Sequence, residues 1–466
     1  MFNDTLRTQF AELSLAASQQ QLILDDMLAR LHILRGQLDS IVYPVLTLPP
    51  EISTEIFLQC LPTECELEDP CWDIVDTRSP PLLLTHICGA WRRIALSTSA
   101  LWATFYIDID SLNLVHLSEV AETWFGRTRN ALSVRIRGSL QTSQVGDLAS
   151  VVEVFQNHSP RMHFLELHAD IDDLRWMDSH SYDFATLRQL RIGLMGYRAI
   201  VQADESIHVF DHIPLLHEVL LHEIPFSFLP CLPWQRLFKF TGEIYSMPEC
   251  LQVLRLMPNL AECSFAVFED PANYEVLAHP NLQCLTLFAS TSNLGRVASS
   301  TRILLFLSLP ALLTLETRAS VDEVVLDSFL RCRPPLVKLS IGSQHLAPPA
   351  RLRLSQAFQA LQLVKLELAN PALQFLSPFF ELFGRDAAFL PQLQALSIGS
   401  NAAFLGDIIH GSATAITARM NLVGCARLQS FHIFSSNYTE SMVAEEDMQI
   451  FRSLKASGTE LYVGPN

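Results

Sequence analysis

The fold of most of this chain is decided by a pattern that is clearest in residues 391–398, Pro-Gln-Leu-Gln-Ala-Leu-Ser-Ile. Apolar residues stand at Leu393, Leu396 and Ile398. Alternate side chains of a β-strand point to the same face, so Leu396 and Ile398 predict one buried strand face. The other clear copies have their first apolar residue at Leu187, Leu216, Leu282, Leu336, Leu363 and Leu428, and weaker copies begin at Met162, Gln235, Leu260 and Leu312. Each copy therefore predicts one short strand.

The spacing of these copies indicates a repeat architecture. Successive copies begin 19 to 35 residues apart, and a period of roughly 20–29 residues is typical of leucine-rich repeats. One unit cannot bury its apolar face alone, so neighbouring units would stack. The pattern predicts a degenerate leucine-rich-repeat solenoid over residues 103–460, in an α+β or α/β repeat fold class. An α/β domain with parallel strands is the alternative.

A heptad pattern covers the first part of the chain. Two series repeat every seven residues and are offset by four, as in the a/d seam of a coiled coil. They are Leu6, Leu13, Gln20, Met27, Leu34 and Ile41, and Phe10, Ala17, Leu24, Leu31 and Leu38. The seam predicts that residues 1–42 form a long helix and that the chain forms a homodimer through residues 6–41. The alternative is one amphipathic helix packed on the rest of the chain, because Gln20 interrupts the seam.

Residues 43–102 predict a small helical domain. After two successive prolines, Ile52, Ile56 and Phe57 recur at helical spacing. A second apolar helix is predicted over residues 82–96. The pair resembles an F-box, whose motif this chain matches at Leu48, Pro49, Glu51, Ile52, Ile56, Phe57, Cys88, Trp91, Arg92, Ile94 and Ala95. Two unrelated core helices are the alternative.

The chain departs from a compact F-box at two places. The insert from Pro62 to Pro81 carries six carboxylates and one arginine, which predicts a long solvated acidic loop between the helices. Gly89 lies inside the predicted second helix, where glycine costs about 1 kcal/mol relative to alanine. Either the packing is close at this position or the helix bends.

Composition limits the classes of function. The 466 residues carry a net charge of −17, and no run of basic residues is present to neutralise a row of phosphates, so we expect no nucleic-acid partner. The densest apolar run, residues 303–315, is too short to span a bilayer. The N-terminus does not resemble a secretory signal. We expect an intracellular protein of the cytoplasm or nucleus with no membrane partner.

The sequence offers no signature of catalysis or of a cofactor. Phosphate-binding, dinucleotide-binding, nucleophile-elbow and zinc-protease motifs are missing from it. The ten cysteines include no Cys-x-x-Cys pair, and Cys60, Cys65 and Cys71 are spaced too widely for ordinary metal ligands. We therefore predict no enzyme activity, no cofactor and no metal site.

The order of heptad helix, F-box motif and degenerate leucine-rich repeats resembles a large group of fungal, basidiomycete-type F-box proteins. The resemblance implies a substrate-receptor subunit of a cullin–RING ubiquitin ligase that docks on a Skp-type adaptor and, through it, on a cullin. It implies an adaptor-binding surface formed by Leu48, Pro49, Glu51, Ile52, Ile56, Phe57 and Trp91. The alternative function is a leucine-rich-repeat protein-interaction scaffold without a ligase role.

An unidentified protein target is expected on the strand face, because the residues that flank each buried apolar pair point outward. The predicted target-binding residues are Arg191, Lys239, Arg318, Lys338, Lys365 and Phe434. They combine mixed charge in the middle of the array with an apolar anchor near its end.

Overall fold

In a computed structural model, the chain forms two compact units, Met1–Leu101 and Trp102–Asn466. We call them the helical unit and the sheet unit. The structure describes residues 2–39, 47–63, 76–108, 116–129, 131–138, 148–195, 206–224, 228–291, 297–298, 300–320, 333–342, 361–371, 373–400, 405–436 and 443–465.

Within its described residues, the helical unit contains a long helix and three short ones. These are α1 (Phe2–Asp39), α2 (Pro50–Gln59), α3 (Leu82–Ile87) and α4 (Gly89–Ser97), followed by a 3-10 turn over Ser99–Trp102. The predicted long N-terminal helix is confirmed by α1. Its described side chains, residues 6–37, are all exposed, including Phe10 at 74% and Leu13 at 72%. Its apolar residues are therefore not buried against any described part of the chain.

The helix predicted over residues 82–96 is interrupted at Cys88. Cys88 is extended, with φ −157° and ψ 167°, and its Sγ accepts a hydrogen bond from the backbone N–H of Trp91 at 3.5 Å. Gly89 begins α4, and no atom lies within 4 Å of the place where its Cβ would stand. Of the two explanations for this glycine, close packing is therefore wrong, and the chain bends there.

The sheet unit alternates strands with helices. Its described helices are α5 (Leu117–Arg127), α6 (Leu148–His158), α7 (Ile171–Asp178), α8 (Met247–Leu256), α9 (Leu373–Arg385), α10 (Leu405–Met420) and α11 (Glu445–Ala456). None of the described helices has the length and apolar composition needed to cross a bilayer.

Among the described residues, fourteen strands form one sheet in which every pairing is parallel. In spatial order they are β1 (Thr104–Asp108), β2 (Leu132–Arg137), β3 (Met162–Ala169), β4 (Gln189–Leu194), β5 (Glu218–His222), β6 (Lys239–Tyr245), β7 (Glu262–Val267), β9 (Cys284–Leu287), β13 (Thr314–Ser320), β14 (Lys338–Gly342), β15 (Lys365–Ala369), β16 (Ala395–Gly399), β17 (Ser430–Phe434) and β18 (Glu460–Gly464). Four two-residue strands form separate pairs, β8 (Leu277–Ala278) with β12 (Leu307–Ser308) and β10 (Ser290–Thr291) with β11 (Val297–Ala298). Strands of the large sheet thus follow chain order.

The apolar positions of the sequence pattern form the core on one face of this sheet. Leu393, Leu396 and Ile398 are fully buried. The strand residues between and beside them, Ala395 and Ser397, are half-buried. Parallel sheets are commonly covered on both faces, but here one face keeps partial access to solvent, and we call it the outward face.

The predicted fold class is wrong. In place of a small all-helical F-box followed by a leucine-rich-repeat solenoid over residues 103–460, the structure is a mixed α/β protein built on one fourteen-stranded parallel sheet. Periodicity located the strands, but the connections differ too much to form one repeated unit. Some contain a long helix, such as the 16-residue α10, and others contain a 3-10 turn, such as Trp234–Arg236. An α/β domain with parallel strands, the alternative, describes the sheet unit.

Candidate protein-binding surfaces

Helix α2 presents apolar side chains to solvent at positions predicted to bind an adaptor. Ile52 is 49% exposed and Ile56 is 42% exposed. They lie four residues apart, so they are neighbours on one face of the helix. Pro49 and Glu51 are also exposed, and Leu48 is half-buried. Adjacent exposed isoleucines are a candidate docking surface because their burial by a partner would be favourable.

Two other predicted adaptor-binding residues, Phe57 and Trp91, pack between α2 and α4. Phe57 is 1% exposed, and its ring centroid lies 4.9 Å from that of the half-buried Trp91. This aromatic pair packs α2 on α4. The Oγ1 atoms of Thr54 and Thr98 lie 3.4 Å apart beside it. Phe57 thus positions α2, and only part of Trp91 is accessible.

The sequence prediction missed two further exposed apolar residues of the helical unit. Ile87, at the end of α3, and Leu96, near the end of α4, are both exposed. The sequence could not single them out, because apolar residues at helical spacing predict an apolar helix face without showing which of its side chains are buried. The break at Cys88 ends α3 at Ile87, so a stripe drawn along one continuous helix does not apply here.

Most of the predicted acidic loop, including Cys65 and Cys71, lies outside the described residues. At its described end, Asp76 Oδ1 lies 3.1 Å from Arg78 Nε and accepts a hydrogen bond from the Arg78 backbone N–H at 2.9 Å. These hydrogen bonds lower the pKa of Asp76.

The predicted target-binding residues lie on six different strands. Arg191 is in β4, Lys239 in β6, Arg318 in β13, Lys338 in β14, Lys365 in β15 and Phe434 in β17. Five of these side chains are half-buried, whereas the side chain of Arg318 is outside the described residues. In the sheet register, Lys338 is directly opposite Lys365. The structure therefore brings these two cations together, and they stand apart from Arg191 and Phe434.

The lysines of the outward face are paired with glutamates of the same face. Lys239 Nζ lies 3.1 Å from Glu218 Oε1 on the neighbouring strand. Lys338 pairs with Glu316 of β13, and Lys365 Nζ lies 2.8 Å from Glu367 Oε1. Burial alone would raise the pKa of Glu367, but the hydrogen bond and charge of Lys365 outweigh it, so that the pKa is lowered.

A charge cluster that the sequence reading found only in part lies across β2, β3 and β4. Glu166 Oε2 lies 3.4 Å from the buried Arg135 and 3.6 Å from Arg191, and Glu166 Oε1 lies 3.2 Å from His168 Nε2. The guanidinium carbons of both arginines lie over the Phe164 ring, at 4.8 and 5.1 Å from its centroid. Burial favours the neutral acid, but the His168 hydrogen bond and the two arginines outweigh it and lower the pKa of Glu166.

Three rings cluster on the last strands of the sheet. The ring centroid of Phe434 lies 5.3 Å from that of Tyr462 and 5.7 Å from that of His432. Tyr462 is exposed. The predicted apolar anchor near Phe434 is thus half-buried beside a tyrosine that sequence reasoning missed, because β18 carries no copy of the leucine pattern.

A histidine–glutamate pair joins β5 to β6. His222 Nδ1 lies 2.5 Å from Glu243 Oε2, and both side chains are about one quarter exposed, at 27% each. The hydrogen bond with Glu243 raises the pKa of His222 above its ordinary value, against the opposing effect of burial.

No protein-family model matches this chain, and no curated protein is significantly similar to it.

Proposed function

We propose that this chain is a substrate-receptor subunit of a cullin–RING ubiquitin ligase, in which the helical unit docks on a Skp-type adaptor and the outward face binds a protein target. The observation that supports this most is the exposure of Ile52 and Ile56, which stand at positions of the F-box resemblance. Adaptor binding would cover them.

The energetics favour a docking role for this part of the chain. Full burial of an isoleucine side chain is worth about 1.5–3 kcal/mol, so two half-exposed isoleucines supply a useful share of the affinity of a stable complex. The buried Phe57 and its partner Trp91 hold α2 in place before binding. A surface that is already ordered loses little conformational entropy on association.

In this proposal the chain performs no bond chemistry. It would raise the rate of ubiquitin transfer by holding a target close to the charged enzyme, which is catalysis by proximity. The alternative is a protein-interaction scaffold with no ligase role, which would use the same outward face.

Coexpression of the full chain with a Skp-type adaptor and a cullin, followed by size-exclusion chromatography, tests the proposal. We expect one complex that contains all three proteins. A matched variant, Ile52→Asp with Ile56→Asp, should elute without the adaptor. If the wild-type chain and the adaptor elute separately, the ligase role is wrong and the scaffold role is favoured.

Light scattering on the same fractions tests the proposed homodimer. The exposed heptad residues of α1 predict a dimer that becomes a monomer when residues 1–40 are deleted, with adaptor binding retained. A monomer before and after the deletion would rule out the coiled coil.

A further inference from the structure

Three side chains from two connections of the sheet unit bring a nitrogen, an oxygen and a sulfur atom together. His208 and Asp211 lie between β4 and β5, and Cys231 lies between β5 and β6. His208 Nδ1 is 3.2 Å from Asp211 Oδ2 and 3.8 Å from Cys231 Sγ. The three ligand atoms all lie within 4.8 Å of one another.

The two separations measured from His208 Nδ1 match edges of a tetrahedral zinc site. Ordinary Zn–N, Zn–O and Zn–S bonds are about 2.0–2.3 Å long. At the tetrahedral angle, such bonds place nitrogen and oxygen about 3.3 Å apart, and nitrogen and sulfur about 3.6 Å apart. The distances from His208 Nδ1, 3.2 Å to Asp211 and 3.8 Å to Cys231, lie close to both values.

A second observation comes from the other carboxylate oxygen of Asp211. Oδ1 is buried and has no hydrogen-bond partner among the described residues. A buried carboxylate oxygen without a partner is costly. A cation held by Asp211 would offset that cost by neutralising the carboxylate.

The surrounding hydrogen bonds fix the histidine as they do around metal ligands. A metal-bound histidine usually makes a hydrogen bond through its second ring nitrogen, which sets its orientation. Here His208 Nε2 lies 2.9 Å from Ser206 Oγ, which leaves Nδ1 facing Asp211 and Cys231. The backbone N–H of His208 donates to Asp178 Oδ1 at 2.6 Å, and that of Asp211 donates to the carbonyl of His208 at 2.9 Å.

We propose that His208, Asp211 and Cys231 bind a zinc-type divalent cation, with one coordination position left for water. The mixture of imidazole, thiolate and carboxylate suits zinc or cobalt, whereas magnesium and calcium prefer oxygen ligands alone. The cation would tie the β4–β5 connection to the β5–β6 connection. The sequence analysis predicted no metal because Cys231 is far from His208 along the chain and no zinc motif spans them.

Cobalt titration of the purified full chain, stripped of metal with a chelator, tests this site. Co²⁺ replaces Zn²⁺ in tetrahedral sites and gives a thiolate-to-cobalt charge-transfer band in the near ultraviolet. We expect that band to saturate at one equivalent, to disappear on addition of Zn²⁺, and to be lost in Cys231→Ser. Because Cys231 and His208 are exposed, metal-free Cys231→Ser and His208→Ala should unfold at the temperature of the metal-free wild type, and both should lack the band when Co²⁺ is added.

The matched control is Cys60→Ser, which removes another exposed cysteine and should retain the full band. Ser206→Ala removes only the outer hydrogen bond and should weaken Co²⁺ binding about tenfold. The proposal is overturned by a wild-type chain that shows no band, by a band that persists in Cys231→Ser, or by a band that disappears in Cys60→Ser. The last result would place the metal at the N-terminal cysteines.

Discussion

The helical unit and the sheet unit present opposite kinds of surface. On α2, the apolar side chains of Ile52 and Ile56 are 49% and 42% exposed. On the outward face of the sheet, Lys338 and Lys365 are paired with glutamates of the same face. A partner therefore gains free energy simply by covering the first surface, whereas on the second it must replace internal ion pairs. We infer that, in the proposed ligase complex, the helical unit supplies affinity for the adaptor and the outward face of the sheet supplies discrimination between targets.

Replacing both isoleucines of α2 should have the greatest effect on binding. Ile52→Asp with Ile56→Asp puts charge where apolar burial is expected, so adaptor affinity should fall at least about 100-fold, or about 3 kcal/mol. Titration calorimetry with the adaptor measures this. The control is Val423→Asp, an equally apolar site on the sheet unit that is 93% exposed and should leave the affinity unchanged. Equal affinities of the double variant and the wild type would show that α2 does not dock.

Removing the central carboxylate of the β2–β4 charge cluster should destabilise the sheet. Glu166→Ala removes the carboxylate that lies 3.4 Å from the buried Arg135, and breaking a buried ion pair costs about 3–5 kcal/mol. Urea unfolding followed by circular dichroism gives the change. Glu262→Ala, on the same face but exposed, should cost less than about 0.5 kcal/mol. Similar losses for the two variants would mean that the cluster is no more important than the rest of the outward face.

Sequence reasoning located local elements better than it located their assembly. It placed α1, α2 and most strands, because the heptads and the Leu-x-x-Leu-x-Leu pattern report burial directly. The pattern is silent about the connections, and these vary from α10 to a 3-10 turn. Gly89 raised the alternative of a bend, but the end of α3 at Ile87 was not predicted, because Trp91, Ile94 and Ala95 keep helical spacing with the residues before Cys88. Contacts between distant residues, such as His208 with Cys231 or Phe434 with Tyr462, leave no periodic signal.

A paired charge reversal probes the outward face as a reading surface. Lys338→Glu with Lys365→Glu should lower target capture about tenfold, because the two new glutamates would repel acidic groups of the target that the lysines attract. The protein that copurifies with the wild-type chain serves as the target. A swap variant, Glu316→Lys with Lys338→Glu, keeps the ion pair but reverses its direction, so it should recover the melting temperature without recovering capture. If Asp76→Lys in the acidic loop lowers target capture as much as the paired reversal does, the outward face is not the surface that recognises the target.

The pH dependence of the His222–Glu243 pair should be the smallest effect. The pKa of His222 is raised in the folded protein, so the folded state holds the proton more tightly than the unfolded state. The stabilisation is complete below the unfolded pKa of about 6.5 and is lost as the pH rises through the folded pKa. We expect the free energy of unfolding, measured with urea, to be higher in the wild type than in His222→Gln by about 1 kcal/mol at pH 6 and by less at pH 9. This expectation would be contradicted if the stability difference between wild type and His222→Gln did not change with pH. It would also be contradicted if the same pH-dependent difference were found when His222→Gln is introduced into a Glu243→Gln background.

We propose that an adaptor covers the apolar side chains of the helical unit and leaves the outward face free. Hydrogen–deuterium exchange of the full chain, with and without a saturating Skp-type adaptor, tests it directly. We expect slower exchange in α2, α3 and α4 (residues 50–59, 82–87 and 89–97) and unchanged exchange in the strands from β3 to β17. Protection confined to those strands, or no protection in α2 at saturation, would contradict it.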